Sequence, residues 1–312
     1  MLTPSAAVTR TGNRCTATQW AEMIAGEGIV ISKCEGSCTG GPKILIGLHA
    51  ERSHPSIVDF REKHPDGRVV LALTGTDIYP EPSKTSLESI ELADRLVLLQ
   101  HLALNQLPEA SRGKARVIVQ SAIRLSEQPV NPEFFDVCVV GHLRYVKDPL
   151  RTAQAARLLP ATSRIRVLHA GGILDPRYEE LVEIEQAENP RYRYLGELGE
   201  QETADLIAQS QLLIVTSQQE GGARVVGEAV VHLTPVISSR IDGVVGLLGA
   251  EYPGYFEVGD AEGLARLLSR AETNLDFASQ LRDLTSTLAS QFAPETEQRA
   301  WQNLISGLSP AS

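Results

Sequence analysis

The chain repeats one pattern, in which a short continuous run of aliphatic and β-branched residues alternates with a longer amphipathic segment. Strands that are buried on both faces of a parallel sheet require such continuous runs. The runs that fit a strand lie at 43–48, 68–73, 95–100, 115–120, 136–141, 165–171, 212–217 and 235–239. This alternation predicts an α/β fold with doubly wound sheets.

The intervening segments carry helical patterns, and one segment breaks the series in two. The helical patterns lie at 16–28, 55–64, 149–159 and 199–210. The break is "RLSEQPVNPEF" (124–134), whose two prolines and polar residues indicate a linker. We therefore expect two Rossmann-like domains at 1–125 and 126–290 that face each other across a cleft. We expect residues 291–312 to form a terminal helix that packs back on the first domain.

Composition excludes several classes of protein. The 312 residues are enough for two cores, and the net charge of −10 argues against a protein that binds nucleic acid by bulk attraction. No apolar run reaches the roughly 18 residues that span a bilayer, and the N-terminus lacks the blocks of a secretion signal. We therefore expect a cytoplasmic protein without a membrane or nucleic-acid partner, in which local groups hold any bound anion.

The sequence offers no metal motif. Cys34 and Cys38 are four residues apart, but no further ligands follow at close spacing, and Cys15 and Cys138 stand alone. We interpret the pair as loop thiols. No Asp-x-Asp motif stands in a suitable position, so the sequence predicts neither a catalytic metal nor a cofactor.

A first set of candidate binding residues follows the strand at 136–141. In "VVGHLRYVKDP" (139–149), Arg144 provides a planar fork of donors and Lys147 a mobile charge three residues later. Such a pair suits a diphosphate, although two surface cations at a helix start would look the same.

A second set follows the strand at 212–217. In "SQQEGGARVVGEAV" (217–230), Gly221 and Gly222 permit close approach of the backbone to a ligand before a helix that begins near Ala223. Glu228 lies in the second turn, where its side chain leans toward the helix start and suits the paired hydroxyls of a ribose. Glu220 in the loop is a candidate acceptor for sugar hydroxyls.

Polar clusters also follow four strands or loops of the first domain. They include "RTGNRCTATQW" (10–20), "GLHAERSHPSI" (47–57), "ALTGTDIYP" (72–80) and "QSAIR" (120–124). Each cluster has an ordinary structural explanation, such as a turn cap for Asp77 or a buried core position for His49. Four clusters at one sheet edge are better explained together by a binding cleft.

The order of the motifs in the second domain resembles the retaining glycosyltransferases of the GT-B fold, over roughly residues 136–265. This resemblance implies a nucleotide diphosphate sugar as donor. It implies that Arg144 and Lys147 hold the diphosphate, that Glu228 holds the ribose and that Glu220 contacts the transferred sugar. It also implies that residues 221–223 bring backbone amides to the ligand. Thr234 stands where the family usually has glycine before the proline.

A more specific resemblance runs along nearly the whole chain. The stretches "TGNRxTA", "LHAxRS", "ALTGTDxY", "VVGHLRxVKDP" and "EGGARVVGEAV" are similar to those of the selenosugar synthases of selenoneine biosynthesis. Only this resemblance points to selenium, since nothing in the composition or spacing does. It implies transfer of N-acetylglucosamine, or a related hexose, from a UDP-sugar to selenophosphate, followed by loss of phosphate from the selenium.

The resemblance also implies a division of the first domain's residues. Gly12 is expected beside the donor phosphates, and the selenophosphate is expected to contact Asn13, Arg14, Thr16, Arg52, Ser53 and Thr74. Selenophosphate is already an anionic nucleophile and requires no strong base. The candidate catalytic residues are His49, Asp77, Arg144, Lys147 and Glu220, with His49 a candidate for the loss of phosphate.

Three other functions fit the same residues. A conventional glycosyltransferase with a hydroxyl or thiol acceptor would use Asp77 or His49 as base. A GT-B-like epimerase would consume donor without acceptor, whereas a phosphorylase would need a pyridoxal lysine or phosphate site that the sequence does not offer. A catalytically silent nucleotide-sugar-binding subunit is the remaining possibility. The preferred sugar and the oligomeric state stay open.

Overall fold

The computed structural model describes residues 1–3, 12–24, 32–33 and 43–308. The chain divides into two compact units. The first unit comprises Met1–Ser121, Glu220–Gly222 and Pro294–Ser312. The second unit comprises Ala122–Gln219 and Ala223–Ala293.

The first unit contains a parallel sheet. Its described strands are β1 (Leu2–Thr3), β2 (Ser32–Lys33), β3 (Ile44–Leu48), β4 (Arg68–Leu73), β5 (Arg95–Leu98) and β6 (Ala115–Val117). They pair in the order β2-β1-β3-β4-β5-β6. The helices are α1 (Gly12–Met23), α2 (Ala50–Lys63), α3 (Lys84–Leu92), the short α4 (Glu109–Arg112) and, near the C-terminus, α12 (Pro294–Ser306), with a 3₁₀ turn at His101–Gln106.

Helices cover both faces of this sheet. Leu71 of β4 packs in a cluster with Phe60 of α2. Its neighbour Val70 points to the other face and packs in a cluster with Trp20 of α1 and Trp301 of α12. Because successive strand residues face opposite sides, burial on both sides requires the continuous apolar runs seen in the sequence.

The second unit also contains a parallel sheet. Its described strands are β7 (Phe135–Val140), β8 (Ile165–Ala170), β9 (Tyr192–Gly196), β10 (Leu212–Val215), β11 (Val236–Ser239) and β12 (Tyr255–Phe256). They pair in the order β12-β11-β10-β7-β8-β9. Its helices are α5 (Arg151–Arg157), α6 (Arg177–Glu188), α7 (Glu200–Gln209), α8 (Arg224–Val231), α9 (Asp242–Leu248), α10 (Ala261–Thr273) and α11 (Leu275–Thr287), with 3₁₀ turns at Tyr145–Lys147 and Ala289–Phe292.

The predicted α/β class is confirmed, and each of the eight predicted strands coincides with an observed one. Residues 118–134, which contain the predicted linker, form neither helix nor strand. The predicted starts of two helices were wrong: α1 begins at Gly12, and α2 begins at Ala50 with Pro55 inside it. Several short strands and later helices were not predicted, among them β9 and α6. In the described residues, no helix is long and apolar enough to cross a membrane.

Candidate functional site

The second sheet has a topological switch point at β7. The chain leaves β7 for β8 on one side and later returns to β10 on the other side. The loops that follow β7 and β10 therefore run in different directions and leave a crevice at the carboxyl ends of these strands, where ligands bind in open α/β sheets. Arg144 and Lys147 follow β7, and Glu220 follows β10.

The loop after β7 holds its two cations in a 3₁₀ turn. Arg144 precedes the turn in an extended conformation and is exposed, whereas Lys147 ends the turn and is half-buried. Asp148 follows in a left-handed conformation (φ 44°), and its carboxylate accepts a hydrogen bond from Arg151 Nε at 2.8 Å.

The segment after β10 anchors this turn. The Thr216 hydroxyl donates to the carbonyls of Lys147 at 2.9 Å and Asp148 at 3.0 Å. The Gln218 N–H donates to the carbonyl of Val146 at 2.8 Å. The two loops of the switch point are thus joined by hydrogen bonds from Thr216 and Gln218 to backbone carbonyls, which fix the turn that carries Lys147.

A glycine lets the loop after β8 approach the loop after β7 closely. Gly171 has φ 153°, and a Cβ atom there would overlap the carbonyl oxygen of Gly141. The N–H of the next residue, Gly172, donates to His142 Nδ1 at 3.0 Å. This contact assigns the ring proton of neutral His142 to Nε2.

Helix α8 carries Glu228 in its second turn, as predicted from the sequence. Glu228 Oε1 accepts a hydrogen bond from Arg224 Nε at 2.9 Å, and the two side chains are 25% and 27% exposed. Ala223 precedes the helix and provides no side-chain cap. The sequence interpretation missed Arg224, although its spacing of four residues from Glu228 is a known signal for a helical ion pair.

The glycines of the loop at 220–222 permit close backbone packing within the first unit. A Cβ atom at Gly221 would overlap the backbone of Thr74, and one at Gly222 would lie 2.5 Å from Leu99 Cβ. Glu220 is half-buried. Steric demand therefore explains both glycines, and their predicted contact with a ligand stays a prediction.

The predicted acceptor residues of the first unit separate into two groups. Asn13 Nδ2 lies 3.4 Å from the Thr74 hydroxyl, so these two come together, and Arg52 is exposed in the first turn of α2. Ser53 is buried and donates to the carbonyl of Leu48 at 2.8 Å. Thr16 is buried too, and its hydroxyl accepts from Gln120 at 2.6 Å. The side chain of Arg14 lies outside the described structure, and Gly12 is described only as the first residue of α1.

Ser53 and Thr16 therefore expose almost no surface to a ligand, because both face the interior of the unit. Their hydroxyls serve the fold: one binds the carbonyl at the end of β3, and the other links α1 to the segment after β6. We leave both residues out of the acceptor site.

Asp77 binds backbone donors. Its buried carboxylate accepts from the N–H groups of Gly75 at 2.7 Å, Ala50 at 2.9 Å and Thr74 at 3.0 Å. Three amides from two segments thus converge on one side chain. It closes the turn after β4 and caps α2 from 27 residues away.

His49 occupies a strained position between β3 and α2. Its φ of 76° is rare for a residue with a side chain. Nδ1 accepts from the Arg52 N–H at 3.4 Å, and Nε2 lies 3.1 Å from the hydroxyl of Thr76. Because Nδ1 accepts, Nε2 carries the proton and donates it to Thr76. Burial lowers the pKa of His49 below its ordinary value, which favours this neutral form.

The two cysteines that the structure describes, Cys15 and Cys138, do not form a binding site. Cys34 and Cys38 lie outside the described residues. Cys15 is exposed, and burial raises the pKa of the Cys138 thiol on β7 to about 12. Among the residues that the structure describes, no three His, Cys, Asp or Glu side chains gather to hold a metal ion.

Comparison with known proteins matches residues 123–284 to the family of glycosyl transferases group 1. A search of curated proteins found no match. Among solved structures, Anabaena Alr3699/HepE in complex with UDP is similar, with a TM-score of 0.71 and 17% identity over 85% of this chain and 79% of that chain. A glycosyltransferase from Rickettsia africae has a TM-score of 0.68 and 16% identity over 86% and 78% of the two chains. The E. coli trehalose-6-phosphate protein bound with UDP-2-fluoro glucose has a TM-score of 0.67 and 14% identity over 88% and 74%. At this identity the likeness concerns the fold, and the expected GT-B class is confirmed.

Proposed function

The chain belongs to the glycosyl transferases group 1 family, and from this premise we propose that it transfers N-acetylglucosamine, or a related hexose, from a UDP-sugar to selenophosphate. The product is a 1-seleno sugar. The donor half of this proposal is supported by the family and by neighbours whose structures contain UDP or a UDP-sugar. The selenium half is supported by the resemblance of the whole chain to selenosugar synthases.

The observation that carries the donor assignment is the anchored turn at the switch point of the second sheet. Thr216 and Gln218 fix the backbone around Lys147 at the carboxyl ends of β7 and β10. The loop therefore loses little conformational entropy when Lys147 binds a ligand. We propose that Arg144 and Lys147 stabilise the diphosphate, including the charge that develops as UDP departs. Glu228 accepts from the ribose, and Glu220 from the transferred sugar. Backbone amides of Gly12 and of residues 221–223 approach the donor.

The state of His49 and Asp77 favours an anionic nucleophile over a neutral hydroxyl or thiol. A neutral acceptor needs a base with a free lone pair near it. The carboxylate of Asp77 receives three backbone N–H groups, and His49 directs its protonated nitrogen, not its lone pair, at Thr76. Selenophosphate enters as an anion and needs neither residue as a base. We propose that Asp77 shapes the loop and that His49 positions Thr76.

The acceptor site in this proposal consists of Asn13, Thr74, Arg14 and Arg52. The protein carries a net charge of −10, so local donors must hold a phosphate against the overall field. Exposed Arg52 stands in the first turn of α2 and offers a charged donor for a phosphate. In this proposal Asn13 and Thr74, which contact each other, add neutral donors.

The selenium of selenophosphate forms a bond to C1 of the sugar while the bond from C1 to the diphosphate oxygen breaks, and UDP leaves with that electron pair. Water then attacks the phosphorus atom, the selenium–phosphorus bond breaks, and inorganic phosphate leaves. The selenium retains the electron pair and takes up the proton as a selenol. No residue is assigned to this second step, and no metal is part of the proposal.

Mass spectrometry of products tests this proposal. The protein is incubated with UDP-N-acetylglucosamine and with selenophosphate, an alcohol, a thiol or no acceptor. We expect a seleno-N-acetylglucosamine only with selenophosphate, and its loss in Lys147→Ala. Product with the alcohol or thiol instead would establish a conventional glycosyltransferase, and donor consumption without acceptor would indicate an epimerase or hydrolase. Donor binding without turnover under every condition would indicate a silent binding subunit.

A further inference from the structure

Helix α8 holds Glu228 at both its side chain and its backbone. Arg224, one turn earlier, donates from Nε to Glu228 Oε1 at 2.9 Å. His232, one turn later, lies with Nδ1 2.7 Å from the Glu228 carbonyl oxygen.

The contacts of His232 define its proton. Its Nε2 accepts from the N–H groups of Leu125 at 3.2 Å and Ser126 at 3.3 Å. The proton of the neutral ring therefore lies on Nδ1 and is donated to the carbonyl of Glu228. The helix end is thus tied to the segment at 122–126, and the backbone of Glu228 has little freedom.

Arg224 has further donors besides Nε. Its Nη1 is buried and has no hydrogen-bond partner within the part of the chain that the structure describes. A buried guanidinium N–H without a partner is costly, and such groups in native structures call for an explanation. The neighbouring carboxylate oxygen Oε1 is occupied by Nε. The pair therefore presents one acceptor, Oε2 of Glu228, and one donor, Nη1 of Arg224, that could contact the same ligand.

A vicinal diol matches this pair. Each hydroxyl of a ribose both donates and accepts, so one hydroxyl donates to a carboxylate oxygen while its neighbour accepts from a guanidinium N–H. A diphosphate would engage Nη1 but would repel Glu228. The acceptor-and-donor pattern thus favours a diol over an anion.

We propose that Arg224 and Glu228 act as one ribose-reading unit, in which Arg224 fixes Oε1 of Glu228 and donates from Nη1 to the adjacent ribose hydroxyl. This inference rests on the proposed function and deepens it, since it assigns the specificity for a ribonucleotide to two residues. Arg224 is a binding residue for the nucleotide, and its conservative replacement by lysine loses the planar fork.

Calorimetric binding of UDP and 2′-deoxy-UDP tests the inference. The wild-type protein should prefer UDP by about tenfold to a hundredfold, because the deoxy compound leaves a buried charged group unpaired. In Arg224→Gln and Arg224→Lys that preference should fall to about threefold or less. UMP is included as a comparison: if Arg224 contacted the second phosphate, its variants would bind UDP more weakly but would bind UMP as well as the wild type does. The control is Arg266→Gln, which removes an exposed pair of the same spacing with Glu262 on α10.

The outcomes separate the two proposals. Wild-type protein that binds no UDP overturns the proposed function and the inference together. Wild-type protein that prefers UDP, with Arg224 variants that bind UDP weakly but keep the full preference over the deoxy compound, overturns the inference alone. A preference lost in both Arg224 variants and kept in Arg266→Gln, with all variants melting as cooperative proteins, supports it.

Discussion

Side chains at the carboxyl ends of the strands have two different roles: some are exposed and charged, and others are buried and bind the backbone. Some face solvent with a charge, as Arg52 and Arg144 do. Others, such as Asp77, are buried and bind several backbone amides. The second group sets the conformation of the loops from which the first group reaches a ligand. Mutations in the two groups should therefore differ in kind, since one changes stability and the other changes binding.

Replacement of Asp77 by asparagine should test this distinction. Asparagine keeps the shape, but it removes the charge and turns one acceptor into a donor that faces backbone N–H groups. We expect the free energy of unfolding to fall by about 2 kcal/mol, as is typical when buried amides lose their acceptor. Urea denaturation measures it, with Asp59→Asn as control, since Asp59 is half-buried on α2 and loses only its ion pair with Lys63. Unchanged stability with complete loss of turnover would instead make Asp77 a catalytic base.

His169 should make stability depend on pH. It is buried on β8 with Nδ1 2.9 Å from the Tyr192 hydroxyl and Nε2 3.3 Å from the Gly141 carbonyl. Burial lowers the pKa of His169 from 6.5 to about 4. The unfolded chain therefore takes up the proton first as pH falls. The stability contributed by neutral His169 is present above pH 6.5 and is lost between pH 6.5 and about 4, amounting to about 3 kcal/mol.

The measurement for His169 is the melting temperature between pH 7 and pH 4.5. His169→Gln cannot titrate, so its melting temperature should fall less steeply with pH than that of the wild type, whatever its value at pH 7. His101→Gln, whose ring is exposed, should keep the wild-type slope. Parallel slopes for wild type and His169→Gln would contradict the assignment.

Among the elements, α12 shows how a distant part of the chain completes a core. Its Glu297 is buried within the first unit and accepts from Trp20 Nε1 at 2.6 Å and from the Ser121 N–H at 2.8 Å. Trp301 of the same helix packs against Trp20 in a tilted arrangement, with ring centroids 4.7 Å apart. One carboxylate thus joins α12 to α1 and to the segment after β6.

Glu297→Gln should weaken this junction. The amide replaces one acceptor oxygen with an N–H that faces donors, and we expect the first unit to lose about 2–3 kcal/mol of stability. Trp20 and Trp301 are the only tryptophans of the sequence, so tryptophan fluorescence in urea reports on this unit. Glu295→Gln, exposed on the same helix, should change little. Equal midpoints for the two variants would refute the role of Glu297.

Elements whose signal is local were predictable from sequence, and elements fixed by distant contacts were not. The runs of β4 and β7 had to be strands because both faces are buried. The start of α2 was missed because its N-cap is His49, an unusual capping residue, helped by the distant carboxylate of Asp77. Pro55 inside the helix also indicated a later start. Two-residue strands such as β12 have too few residues to show a period.

The candidate site divides in the same way. Arg144, Lys147 and Glu228 follow from motif spacing, since each stands at a fixed distance from a strand end. The burial of Ser53 and Thr16 depends on packing that no local pattern encodes. Arg224 was overlooked because ion pairs four residues apart are common on exposed helix faces. Its orphaned Nη1 is visible only in three dimensions.

Across the whole molecule, both units follow one plan, in which a parallel sheet has its candidate ligand loops at the carboxyl ends of the strands. In the second unit these loops flank the switch point at β7, and in the first unit His49 and Thr74 follow neighbouring strands. The strongly negative net charge makes the local cations decisive. We therefore propose that Arg144, Lys147 and Arg52 stabilise the charges of the substrates.

We predict turnover without a divalent metal. In the proposed function arginine and lysine supply the positive charge at the diphosphate, so activity measured as UDP release should survive dialysis against a chelator. Activity that disappears with the chelator and returns with magnesium would show that a metal supplies that charge instead.

The central claim is that the loops at the switch point of the second unit form the binding site for a UDP-sugar. Calorimetric titration of UDP into wild-type protein, Lys147→Ala and Glu228→Ala tests it most directly. We expect wild type to bind and each variant to bind at least tenfold more weakly, because each loses a charge-assisted hydrogen bond to the nucleotide. Absence of binding to wild type, or equal affinity in all three proteins, would contradict the account.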